Sequence, residues 1–137
     1  EIGSLEISNF VSKVAAIPEI RKEMVKLQRN IDRKKGVVMD GRDIGSVVFP
    51  DADIKLFLTA SDTVRAKRRF EEMINNGSSV SYDDILNNIR IRDNLDSSRT
   101  DSPLTIEKDA VVIDNSNMSI DEQIKQIILL IDKKIAN

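Results

Sequence analysis

Apolar positions recur at three- and four-residue spacing in some stretches of the chain and as short unbroken runs in others. Ser4 to Ile17 carries Ile7, Phe10, Val11, Val14 and Ala15 at helical spacing, which predicts an amphipathic helix. Pro18 suits the first turn of a second helix, with Ile20, Met24, Leu27 and Ile31 as its apolar stripe. Three runs read as strands: Val37–Met39, Ile54–Thr59 and Ala110–Asp114. Their apolar density, without polar alternation, predicts burial on both faces of a parallel sheet. Between the second and third runs, Ser61 or Asp62 caps a helix running toward Gly77, whose Val64, Phe70, Met73 and Ile74 face the core. Ser81 and Asp84 stand in capping-box relation before Ile85, Leu86 and Ile89, and this pattern fades into a polar loop from Arg92 to Pro103. Ser119 and Glu122 cap the last helix, with Ile120, Ile124, Ile127, Ile128 and Ile131 along one side. Strands alternating with helices imply an α/β fold in three layers, a parallel sheet covered on both faces.

Composition narrows the chemistry. With 137 residues, 40% hydrophobic and 32% charged, the chain is sized for one globular domain. No apolar run approaches the roughly 18 to 20 residues of a membrane span. The N-terminus lacks the layout of a secretory signal, so no membrane association and a cytoplasmic location are expected. There is no Cys and no His, which removes thiolate chemistry, the usual general base and the commonest metal ligand. A net charge of -2 gives no global basic field, so nucleic acid is not an expected partner. A small anion held by local arginines remains open.

The densest chemistry is Asp40-Gly41-Arg42-Asp43, directly after the first apolar run. Open α/β sheets place ligands at such strand ends. Arg21 sits in a helix first turn, where a cation does not complement the dipole, and a nearby anion or carboxylate would explain it. Arg65, Arg68 and Arg69 share a helix face, and Arg92 and Arg99 flank Asp96. Each group alone also fits a charged turn or a solvated helix face. Together they suit phosphate, because guanidinium forks bind it bidentately and phosphoryl transfer runs on positioning and charge neutralisation.

Three stretches carry a family resemblance: Ser12-Lys13-Val14-Ala15-Ala16-Ile17-Pro18-Glu19-Ile20-Arg21, Asp40-Gly41-Arg42-Asp43-Ile44-Gly45-Ser46-Val47-Val48-Phe49-Pro50-Asp51-Ala52, and Arg92-Asp93 through Asp96 to Arg99. In order and spacing the chain resembles the bacterial cytidylate kinases, P-loop nucleoside monophosphate kinases that move the terminal phosphate of ATP onto CMP or dCMP. The resemblance implies that Ser12, Arg21 and Asp43 read the cytosine, and that Asp96, with Arg92 beside it, meets the ribose. It implies Arg42 and Arg99 as clamps on the acceptor phosphate, with Arg99 reaching toward the transferring group. Asp40 would hold the magnesium shell through water, Arg65, Arg68 and Arg69 would belong to a lid over ATP, and Asp114-Asn115-Ser116 would lie near the adenine.

Two features depart from the family pattern. Leu95 stands where members often carry a further arginine, and the sequence contains no G-x-x-x-x-G-K-[ST] loop. Residues 1–35 then correspond to the remainder of the monophosphate-binding insertion, and residues 36–137 to the C-terminal part of an incomplete P-loop kinase core, with the lid region at about 60–100. The sequence then reads as a fragment of a longer protein or as a naturally split piece, and only in the second case would a companion chain supply the absent segment as a partner. By the same resemblance the absent strand belongs between Val37–Met39 and Ile54–Leu58. Two other readings stay open: a related kinase with another acceptor such as UMP, and a non-catalytic module that binds a nucleotide or a protein. The absent loop would supply the amide nest, lysine and magnesium-binding hydroxyl for the donor phosphates. The 137-residue polypeptide alone is therefore expected to transfer phosphate negligibly; a coupled ADP-release assay checks this, and turnover near that of a complete kinase would contradict it.

Overall fold

The computed structural model describes residues 5–31, 36–100 and 102–136. The chain runs through α1 (Leu5–Val14), α2 (Pro18–Arg29), a single π-helical turn (Ile44–Val48), β1 (Leu56–Thr59), α3 (Asp62–Asn75), α4 (Tyr82–Ser98), β2 (Val111–Asp114) and α5 (Ile120–Ile135). β1 and β2 pair in parallel, Leu56 opposite Val111 and Thr59 opposite Asp114. A parallel pair needs a long crossover. Here α3 and α4 supply it, so both helices begin or end near the C-terminal ends of the strands. The result is an α/β arrangement rich in helix, with a small two-stranded parallel sheet among the described residues.

Local sequence sets the helix ends. Pro18 occupies the first turn of α2. Ser61 caps α3 by accepting from the Val64 amide. At the other end Gly77 adopts φ +78°, and its amide meets the Ile74 carbonyl while the Ser78 amide meets that of Met73, both at 2.9 Å. This is a Schellman closure, for which glycine carries no Cβ penalty. Ser81 caps α4 through the Asp83 amide rather than in a reciprocal pair with Asp84. Ser119 and Glu122 form the full capping box on α5.

The core sits between α3 and α4. Ala66 and Ile85 are fully buried and Met73 nearly so, with Phe70, Val80, Tyr82, Leu86 and Ile89 packed around them. The small side chain of Ala66 lets the helices approach closely, and Phe70 meets Tyr82 edge-to-face at 6.1 Å. Val48 and Phe49 at the end of the π-turn, Ala60 just after β1, and Ile113 within β2 are also buried.

Four expectations are corrected. Val37–Met39 is not a strand: residues 36–40 lack regular structure and Val38 is exposed. A strand needs a neighbour to take its backbone hydrogen bonds, and none lies beside it among the described residues. The sheet is not covered on both faces, since Leu58, Val111 and Val112 are exposed. The stretch from Arg92 to Ser98 is not a loop but the last two turns of α4; Asp96 there accepts from the Leu104 amide at 2.7 Å, closing the helix end. Finally, the apolar stripes of α2 and α5 are largely exposed, as is Ile74.

If the α3–α4 seam carries the stability, Ile85→Ala costs about 2–5 kcal/mol, whereas Ile128→Ala, on the exposed side of α5, costs about 1 kcal/mol or less. Urea unfolding of both variants checks the contrast.

Candidate functional site

The lengthened α4 decides the geometry. Continuing the three-four spacing of Ile85 and Ile89 puts Arg92, Asp93 and Asp96 on the same face as the apolar residues that meet α3. The buried seam thus aims a charged turn of α4 at the charged first half of α3. Between them lies a cleft of about 300 Å³ lined by Arg42, Arg65, Arg68, Arg69, Glu72, Asn88, Ile89, Arg92 and Asp93. Arginines from three separate segments converge there, against two carboxylates.

Asp96 is the hub on one side. It stands 3.1 Å from Arg42 Nε, 3.2 Å from Arg99 Nη1 and 3.9 Å from Arg92 Nε. Arg99 Nε also donates to the Ser102 carbonyl at 2.6 Å. Burial, and next the like charge of Arg42, draw the pKa of Arg92 down. Burial and then Arg21 do the same for Arg99. Both guanidinium groups remain cationic at neutral pH. On the other side, Arg65 donates from Nη1 and Nη2 to the two oxygens of Asp93 at 3.0 and 2.6 Å, and from Nε to the Ala60 carbonyl at 3.0 Å. The Asp93 carboxylate raises the pKa of Arg65. Arg68 grips Asn115 just beyond β2, at 2.9 Å on its side-chain oxygen and 2.7 Å on its carbonyl.

A second locus adjoins the first. Arg21 of α2 pairs with Asp43 at the head of the π-turn, both side chains largely buried, and Arg21 Nη1 reaches the Ala15 carbonyl at 3.2 Å. This resolves the awkward position of Arg21 in its helix. Arg29, farther along α2, donates to the Val48 carbonyl at 3.1 Å and to that of Val47 at the other end of the turn. α2 therefore holds the π-turn at both ends, which fixes Arg42 and Asp43. The buried guanidinium nitrogens Nε of Arg21 and Nη2 of Arg99 make no hydrogen bond. Such orphans are rare enough to suggest a missing acceptor.

Of the residues singled out from the sequence, Arg42, Arg65, Arg68, Arg69 and Arg92 meet in the cleft, Asp96 and Arg99 join through ion pairs, and Arg21 and Asp43 form the adjoining pair. Asp40 is exposed and does not line the cleft. Ser12 lies in α1, and its side chain lies outside the described residues. Among the described residues no group of three potential ligands gathers to hold a metal, and no helix is long and apolar enough to cross a membrane. Sequence reasoning missed Asp93, Glu72 and Arg29. The signal for Asp93 was present, since helical spacing extended past Ile89 reaches it.

The cytidylate kinase family model matches residues 1–133. A cytidylate kinase of Flavobacterium psychrophilum is 49% identical over 96% of this chain and 58% of its own length. Those of Phocaeicola vulgatus and Caldanaerobacter subterraneus are each 50% identical, over 90% and 93% of this chain and 54% and 57% of their own lengths. The chain spans somewhat over half the length of the curated relatives it matches. A match over residues 1–133, on a chain whose arginines converge on one cleft, gives a single conclusion: the chain belongs to the cytidylate kinase family.

Proposed function

We propose that the cleft binds the phosphates of nucleotides, and that the protein acts in transfer of the terminal phosphate of ATP to CMP or dCMP. The observation that carries this is the convergence of Arg42, Arg65, Arg68, Arg69 and Arg92 on one cavity of about 300 Å³. Phosphoryl transfer demands that donor and acceptor phosphates lie in line within a field of positive charge. In this reading Arg42, Arg92 and Arg99 hold the acceptor phosphate, Asp96 orients all three and meets the ribose, and the arginines of α3 face the donor. Residues 1–35 then serve the monophosphate and residues 36–137 the kinase core.

The Arg21–Asp43 pair supports a cytosine site. Cytosine offers an exocyclic amine that a carboxylate accepts from, and a ring nitrogen and carbonyl to which a guanidinium donates. The unsatisfied Arg21 Nε is a donor available for that purpose. Magnesium with ATP belongs to the same proposal. Mg²⁺ keeps several waters and takes one or two carboxylates plus phosphate oxygens, so the lone exposed carboxylate of Asp40 fits a water-mediated contact and no more. Bound there, the ion would neutralise phosphate charge.

Asp43→Asn replaces an acceptor-only carboxylate, which favours an amine over a carbonyl, by a neutral amide that can also donate. The ratio of CMP to UMP affinity is expected to fall about tenfold or more, the worth of a charged hydrogen bond. Calorimetric titration of both nucleotides measures it, and an equal loss for the two would contradict the assignment.

A further inference from the structure

Arg65 lines the cleft, yet its nitrogens are engaged. Nη1 and Nη2 are on Asp93 and Nε is on the Ala60 carbonyl. A fork-to-fork pair of this kind has the geometry by which a guanidinium holds a phosphate. The two partners lie 28 residues apart in sequence, on α3 and α4, and both are about one-third exposed. Arg42 differs, meeting Asp96 through Nε. We propose that Asp93 is an internal stand-in for a ligand phosphate: it holds the Arg65 fork in the cleft, and a polyphosphate must displace it to engage Arg65.

This inference rests on the phosphate reading of the cleft and adds a sign to it. A carboxylate that merely orients Arg65 helps binding, so its neutralisation weakens the complex. A competing carboxylate has the opposite effect. The pair is partly exposed, where ion pairs are worth little, so a phosphate with more charge and more acceptor oxygens can replace it. Asp93 is then a positioning residue that sets anion affinity through Arg65.

Glu72 provides the control. It lines the same cleft and carries the same charge, and its neutralisation reports the general change of field. Inorganic tripolyphosphate is titrated calorimetrically into the unaltered protein, Asp93→Asn, Glu72→Gln, and Arg65→Ala with and without Asp93→Asn, with thermal unfolding of each to confirm folding. The expected result is about tenfold tighter binding for Asp93→Asn, roughly twofold for Glu72→Gln, and no gain beyond that twofold once Arg65 is gone. Weaker binding by Asp93→Asn, or a gain equal to that of Glu72→Gln, would overturn the competitor role and leave the phosphate cleft standing. Absence of tripolyphosphate binding in every form would overturn the cleft reading itself, and this inference with it.

Discussion

Guanidinium groups repel one another, and they gather in one cleft only where carboxylates and a rigid frame hold them. Two unit charges about 5 Å apart repel by about 3 kcal/mol at an effective dielectric of 20. Here Asp96 stands among Arg42, Arg92 and Arg99, and Asp93 holds Arg65. Both carboxylates project from α4, whose position is set by the Ala66–Met73–Ile85 seam against α3. The electrostatics of the site therefore depend on packing. A shift of α4 by one residue would move Ile85 out of the core and both carboxylates away from the arginines they neutralise.

The second support is α2. Its Arg21 and Arg29 hold the two ends of the π-turn, a rare wide turn of the sort found at functional sites. Its amides at Val48 and Phe49 close back on Asp43 and Ile44. The turn places Arg42 toward Asp96 on one side and Asp43 toward Arg21 on the other. Arg42 and Asp43, adjacent in sequence, thus face different loci, as the proposed binding of a nucleoside monophosphate requires.

Much of this was legible in the sequence wherever the cause is local. Pro18, Ser61, Gly77 and the Ser119–Glu122 box mark helix ends by chemistry within a few residues. The arginines were recognisable as a set because a chain without His or Cys has few other groups with which to hold an anion. What failed was non-local. Arg92 to Ser98 looks like a loop because Asp, Asn and Ser favour turns, and tertiary contacts at Ile89, Arg92 and Asp96 override that weak propensity. Val37–Met39 has a strand's composition, but composition does not say whether a partner strand lies beside it. The Arg65–Asp93 pair joins residues that only the α3–α4 packing brings together, and no spacing rule within one element reveals it.

The central claim is that the arginine cleft, and not an apolar pocket, selects the ligand by its phosphate. Calorimetric titration of CMP against cytidine, at low and high salt, tests it most directly. The account predicts that CMP binds at least about a hundredfold more tightly than cytidine, two or more charged hydrogen bonds' worth. It also predicts that salt erodes this margin and that Arg42→Ala removes most of it. Equal affinity for the nucleoside and its monophosphate, or a margin indifferent to salt, would contradict it.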